Sequence, residues 1–180
     1  MSIKPEFYEN EILLPSEVSI TKDQNILTAK GSYGSVQKDF TKMPANIYLQ
    51  GNKITIKSHG NRKKDFALVN TIQSVINNMI KGSSKGFTYR LKIVFAHFPI
   101  TVKIKNREIF VENFFGERSA RTSKIIGGDT KVTVEGEDVV ITGPNIENVS
   151  QSAANLELAT RIKNKDSRVF LDGVYIYSKE

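Results

Sequence analysis

The chain is written twice. Val18, Ile20, Leu27, Tyr33 and Gly34 are echoed 82 positions later by Ile100, Val102, Ile109, Phe115 and Gly116. Ile47, Leu49, Gly51, Ile54 and Ile56 return 85 positions later as Val132, Val134, Gly136, Val139 and Ile141. The three extra positions fit a slightly longer loop in the second copy. A period of roughly 80 residues is too long for a solenoid unit and suits a small domain. The 180 residues are therefore read as two tandem units, 1–82 and 83–180, each small enough to lean on its neighbour for stability.

The hydrophobic pattern gives each unit the same plan. In the first, Val18-Ser19-Ile20-Thr21 and Ile26-Leu27-Thr28-Ala29 have strand character around a turn at Asp23-Gln24-Asn25. Gly31 and Gly34 bracket the next turn. Ile47/Leu49 and Ile54/Ile56 alternate about Gly51-Asn52, as in an antiparallel hairpin with one face inside. From about Lys63 the period changes, and Leu68, Ile72, Val75, Ile76 and Met79 form one helical stripe expected to end near Lys81-Gly82. Gly82 to Gly86 then reads as a short joint that holds the two units in a defined relation.

The second unit repeats this with strands at 87–95, 100–104, 109–112, 131–135 and 138–142. A helix follows that starts at Pro144-Asn145 and turns Val149, Ala153, Leu156 and Ala159 inward. Asp172-Gly173 is a turn into a last strand at 174–177. The fold class is α+β: twice, a small antiparallel sheet covered by one helix.

Composition narrows the function. Lys plus Arg exceed Asp plus Glu by 26 to 19, and the excess is shared: eleven basic against seven acidic residues up to position 82, fifteen against twelve after it. A basic chain of this kind takes nucleic acid as its leading partner and an anionic membrane as its second. No apolar run approaches the ~20 residues of a bilayer span. The N-terminal Lys4, Pro5, Glu6, Glu9 and Glu11 do not make a signal peptide. An intracellular protein without a membrane partner is expected.

The absence of cysteine excludes disulfides, thiolate metal sites and cysteine nucleophiles. His59 and His97 share no motif, no serine sits in a nucleophile elbow, and Glu135, Glu137 and Asp138 occupy a tight turn where acids are ordinary. No enzyme, no cofactor, no metal and no small-molecule substrate are expected. His97 is expected to form a turn hydrogen bond or to touch a partner.

Basic, turn-rich spots carry the functional signal. They are Arg62, Lys63 and Lys64 after Gly60-Asn61; Lys85, Arg90 and Lys92; Arg118, Arg121 and Lys124; and the run from Arg161 to Arg168 with Lys163, Asn164 and Lys165. Arginine and lysine neutralise phosphate and release counterions, and glycine lets backbone approach closely. Phe114, Phe115, Tyr89 and Tyr175 are candidates to stack on an unpaired base. Gly31-Ser32-Tyr33-Gly34 has the spacing of a KH-domain loop but lies between strands, so a plain turn is the better reading. Lys85-Gly86-Phe87-Thr88-Tyr89 begins like an RNA-recognition-motif strand and then departs from it.

Several segments together resemble the L-six family of large-subunit ribosomal proteins in its archaeal and eukaryotic form. They are Lys30-Gly31 to Gly34 with Asp39-Phe40; Gly60-Asn61-Arg62-Lys63; Asn78-Met79-Ile80-Lys81-Gly82 with Gly86-Phe87; Ala96-His97-Phe98-Pro99-Ile100; and Asn113-Phe114-Phe115-Gly116-Glu117. The last runs from Lys163-Asn164-Lys165-Asp166 through Arg168, Phe170-Leu171-Asp172-Gly173 and Tyr175. They occur in the family's order.

The resemblance implies two α+β copies, no catalysis, and binding to large-subunit ribosomal RNA near the sarcin–ricin loop and the stalk base. Neighbouring large-subunit and stalk-base proteins and translation factors would lie close by. It implies that Lys163, Asn164, Lys165, Arg168, Gly173 and Tyr175 form the main RNA segment. Lys85, Arg90 and Lys92 would flank it, Arg118 to Lys124 is a further candidate, and Arg62 to Lys64 are the contacts of a peripheral first unit.

Where relatives carry aromatics before the Gly-Asn-Arg-Lys motif this chain has Lys57-Ser58-His59, and no tryptophan occurs. The 119–130 stretch is short and no tail follows Glu180, so a trimmed set of peripheral contacts is expected. The motif set favours a eukaryotic source, hence a cytoplasmic ribosome with nucleolar passage during assembly. A free-standing RNA-binding module or assembly factor, and an adaptor that binds proteins through its strand edges, stay open.

Overall fold

The computed structural model describes residues 6–166 and 168–180; Lys4 and Pro5 of the N-terminal reading lie outside them. The chain divides into two compact units, Met1–Lys85 and Gly86–Glu180. The first contains β1 (Glu9–Leu13), β2 (Ser19–Asp23), β3 (Ile26–Lys30), β4 (Ser35–Asp39), β5 (Ala45–Gln50), β6 (Lys53–Ser58) and α1 (Lys63–Ser84). The second contains β7 (Phe87–Val94), β8 (Thr101–Lys105), β9 (Glu108–Glu112), β10 (Arg121–Lys124), β11 (Lys131–Glu135), β12 (Asp138–Gly143), α2 (Ile146–Ala159) and β13 (Gly173–Lys179).

The class is α+β, but each unit splits its strands between two antiparallel sheets where one was expected. The first has β2-β3-β4 and β1-β6-β5; the second has β8-β9-β10 and β11-β12-β7-β13. The split has a local cause. After β4, Asp39 Oδ1 accepts from both the amide (2.8 Å) and the hydroxyl (2.6 Å) of Thr41, and this turn carries the chain out of its sheet before Pro44.

The duplication shows in the register. Ile47 pairs with Ile56 and Leu49 with Ile54, and their echoes pair in the same way, Val132 with Ile141 and Val134 with Val139. Of the strands in these matching sheets, β13 alone has no counterpart in the first unit.

In each unit the helix closes a core drawn from both sheets. Leu27 and Ala29 of one sheet, Ile54 and Ile56 of the other, and Val69, Ile72 and Ile76 of α1 are buried together. The second core joins Val102, Ile109 and Val111 to Leu91, Val139 and Ile141 beneath Val149, Ala153 and Leu156 of α2. Each such Val, Leu or Ile side chain contributes about 1.5–3 kcal/mol of burial. Asn145 caps α2 with its side-chain oxygen, 2.9 Å from the Glu147 amide.

Helix α1 runs two residues past its expected end. The Ser83 carbonyl accepts from the amides of Tyr33 (2.9 Å) and Gly34 (3.3 Å), which satisfies a group that a helix end leaves orphaned. A Cβ on Gly31 would lie 2.5 Å from that carbonyl oxygen. The Gly31–Gly34 turn is thus a seat for the end of α1, and Gly82 and Ser83 are buried in it.

Candidate nucleic-acid interface

Between α2 and β13 the chain makes an irregular, cation-rich passage whose two ends are pinned. At one end the Thr160 hydroxyl, buried, accepts from the Val174 amide at 3.0 Å. At the other, the Asp172 carboxylate, 1% exposed, accepts from the amides of Ala96 (2.9 Å) and His97 (3.1 Å) and from the His97 ring Nδ1 (2.8 Å). Burial alone would raise the Asp172 carboxyl; the Ala96 amide, the His97 ring and the His97 amide together outweigh it and hold it below its ordinary value. His97 is thus held by hydrogen bonds to a residue 75 positions away, where a hydrogen bond within its own turn was expected.

The pin extends to the loop surface. The His97 ring stacks on Phe170 with centroids 5.1 Å apart, and Phe115 lies 6.0 Å away. The Lys165 ammonium sits 4.7 Å above the Phe170 ring. Asn164, in the left-handed region at φ 59°, carries the turn that leaves Lys163, Asn164 and Lys165 exposed.

Arg168 pairs with Asp166 at 3.1 Å, its side chain 88% exposed. The Arg168 side chain first, and its amide second, lower the Asp166 carboxyl. An ion pair this exposed is weak, so exchanging its carboxylate for a phosphate costs little.

Two open hollows flank the passage. Phe115, Arg121, Leu158, Arg161, Lys163 and Lys165 are among the residues around one of about 360 Å³. Arg161, Phe170 and Tyr175 help line another of about 460 Å³. Leu158, Val169, Leu171 and Tyr175 are exposed, so cations and apolar surface alternate.

Gly173 is buried at the start of β13, where a Cβ would come within 3.0 Å of the Tyr175 ring. Its part is to let that ring lie over the backbone. Burial, then the negative charges of Asp172 and Glu157, raise the Tyr175 phenol, which keeps it a hydrogen-bond donor.

The remaining basic residues divide by what already holds them. Arg118 and Lys124 are exposed at either end of the stretch leading through β10. Arg121, between them, faces inward. Its Nε and one terminal nitrogen donate to Glu117 at 2.9 and 2.6 Å, the other terminal nitrogen donates to the Ala159 carbonyl at 3.0 Å, and the guanidinium lies 4.1 Å from the Phe114 ring. It is an internal strut between β10 and the end of α2.

Lys92 lies 3.4 Å from both Glu137 and Asp138; Glu137 is the main cause of its raised pKa. Arg90 is half-buried in mid-strand, and Lys85 is exposed just past α1. Phe114 is 1% exposed and packs edge-on against Phe115, so it belongs to the core and not to a stacking platform. Tyr89 is half-buried.

In the first unit, Arg62 precedes α1 and Lys63 and Lys64 open it, all exposed; the Arg62 amide donates to Asp65 at 2.9 Å. Cations in a first helical turn oppose the macrodipole, which favours anions there. Among the described residues no cluster of three metal-ligating side chains occurs, and no helix is long and apolar enough to cross a membrane.

The pin between Asp172 and His97 is not legible in the sequence, although both residues stand in family-like motifs. Their separation of 75 positions leaves no periodic signal.

Comparison with known proteins places this geometry in a family. The model of the family described as Ribosomal protein L6 matches residues 14–86 and 98–173. The chain is 48% identical over 177 residues to the large ribosomal subunit protein uL6 of Staphylothermus marinus, covering 96% of this chain and 95% of that protein. It is 45% identical to the uL6 of Methanobrevibacter smithii, covering 94% and 95%. It is 43% identical to that of Saccharolobus solfataricus, covering 94% of each. These relatives are archaeal, so the expectation of a eukaryotic source, and the nucleolar passage tied to it, are not supported.

Proposed function

The chain belongs to the ribosomal protein L6 family, whose members are non-enzymatic structural proteins of the large ribosomal subunit, and from that premise we propose that the 160–175 passage is its principal seat on ribosomal RNA. The observation that carries this reading is the contrast among cations. Arg121 is occupied within the fold and Lys92 is answered by two carboxylates, whereas Lys163 and Lys165 project from a turn pinned by Asp172 and His97. A pinned turn presents charge to phosphate without first being ordered, which spares that entropy on binding.

Lys163, Asn164, Lys165 and Arg168 meet the backbone in this reading, and Tyr175 offers an aromatic face and a hydroxyl. Gly173 acts by shaping the loop. Arg118 and Lys124 extend the contact. Lys85, Arg90 and Lys92 flank it, with Lys92 the weakest. Arg62, Lys63 and Lys64 add a second, peripheral anchor, where two lysines reinforce the positive end of α1. The finer location, near the sarcin–ricin loop and stalk base with stalk-base proteins and translation factors as neighbours, is part of the proposal, as is residence in the cytoplasm.

The test is a salt titration of the full chain on large-subunit ribosomal RNA. The slope of log K against log salt falls by roughly 0.7–0.9 for each phosphate no longer neutralised. K165A/R168A is expected to lower the slope by about 1.4 to 1.8. An unchanged slope removes the passage from the interface.

A further inference from the structure

The two halves differ at one sheet edge. In the second unit β7 is covered on both sides, by β12 and by β13. Its counterpart β1 pairs with β6 alone among the described residues. The topology explains the vacancy. The strand that follows α2 is β13, and it returns to pair with β7; the strand that follows α1 is β7 itself, which serves as the first strand of the second unit. The first copy is thereby left without its closing strand.

The open edge is aimed outward. The Leu14 amide donates to Asn52 on the β6 side, so by alternation the amides and carbonyls of Glu9, Glu11 and Leu13 point away from the sheet. All three residues are exposed, Leu13 at 77%. The opposite edge of this sheet is treated differently, since the Lys22 ammonium caps the Ile47 carbonyl on β5. A lysine of this kind is a common device against strand addition. Among the described residues no such device covers β1.

We infer that β1 is a docking edge for an extended, basic segment of another protein, added as an antiparallel strand. Charge selects the occupant. In a chain of net charge +7 this edge carries Glu9 and Glu11, with Glu6 exposed just before it; Glu11 also meets Lys53 of β6 at 2.5 Å, in a half-exposed pair weak enough to be shared with an incoming cation. Residues opposite each other in an antiparallel pair share a face, so the occupant sets basic residues against the two glutamates. A second copy of β1 would set glutamate near glutamate and is disfavoured.

The covered edge supplies the template for the rest. Superposing the two sheets puts Leu14, Leu13 and Ile12 where Ile93, Lys92 and Leu91 receive Val174, Tyr175 and Ile176. The occupant is thus apolar at the positions facing Leu14 and Ile12. Main-chain bonds supply the affinity and alternate side chains the choice of partner.

The probe is the capped hexapeptide acetyl-VYIKTK-amide, titrated without RNA into the full chain labelled with nitrogen-15. The expected result is saturable shifts centred on the Glu9, Glu11 and Leu13 amides, together with slowed hydrogen exchange there. E11P removes an outward donor while sparing the bonds to β6, and it is expected to weaken binding at least tenfold. E9R/E11R keeps every backbone group and is expected to weaken it as well, and the spectra show whether each variant is folded. No shift up to the solubility limit, shifts elsewhere, or wild-type affinity in both variants overturns the inference. So does concentration-dependent self-association through the β1 amides, which would make a second copy the occupant. The RNA reading is untouched by any of these outcomes.

Discussion

Replacing Asp172 tests how the 160–175 passage is held. Its carboxylate takes three donors while 1% exposed. D172A leaves the amides of Ala96 and His97 and the His97 ring without their acceptor. An abandoned buried donor costs about 1–3 kcal/mol. Residues 96 and 97 are exposed, so water recovers part of this, and the sum falls to about 2–4 kcal/mol.

D172N keeps one acceptor oxygen for the two amides and loses chiefly the charge, for about 1 kcal/mol. Urea unfolding followed on Val174 and Ile93 resonances reads the second unit alone. Equal stability of D172A and wild type refutes the pin. The pH dependence carries a sign: a carboxyl lowered on folding stabilises above its unfolded value, near 3.8, and that stabilisation is lost as pH falls through the lowered folded value. The gap between wild type and D172N is therefore full above about pH 4–5 and closes in stronger acid.

Two neighbouring cations are expected to behave oppositely. R121A should destabilise the second unit by about 1–3 kcal/mol, measured by denaturation, with no change in the RNA salt slope; K124A should lower the slope by about 0.7–0.9 and leave stability alone. The same loss of slope in both would return Arg121 to the interface. G31A should lower stability by about 1–3 kcal/mol, because its Cβ would stand 2.5 Å from the Ser83 carbonyl. A thermal midpoint equal to wild type would show that the seat of α1 yields.

The parts of the fold legible in sequence are those with strong alternation and burial. The β5–β6 and β11–β12 hairpins and the stripe of α1 fall where Ile47, Ile54, Ile72 and Val139 put them. Three strands are not legible. β4 buries only Val36, β10 only Ser123, and β1 only Ile12. β2 and β8 bury one strand residue each as well, but there Val18 and Ile100 stand two positions ahead of Ile20 and Val102 and supply an apolar alternation that β4 and β10 lack. The end of α1 is misplaced by local reading because Gly82 signals a stop, while the Gly31–Gly34 turn continues the helix through hydrogen bonds that span 49 and 50 positions.

The site follows the same rule. Charge and motif nominate Lys163, Lys165, Arg168 and Arg121 alike, and Phe114 with them, but only packing shows that Arg121 and Phe114 are engaged within the fold while the other three face outward.

The most direct test of the RNA seat is photo-cross-linking of assembled large subunits, with cross-linked peptides mapped on this chain. Cross-links are expected to concentrate between residues 160 and 175, at Lys163, Lys165 and Tyr175 first, with sparser ones at Arg62 to Lys64. Cross-links confined to the first unit, with the 160–175 passage free of RNA, would contradict the proposed seat.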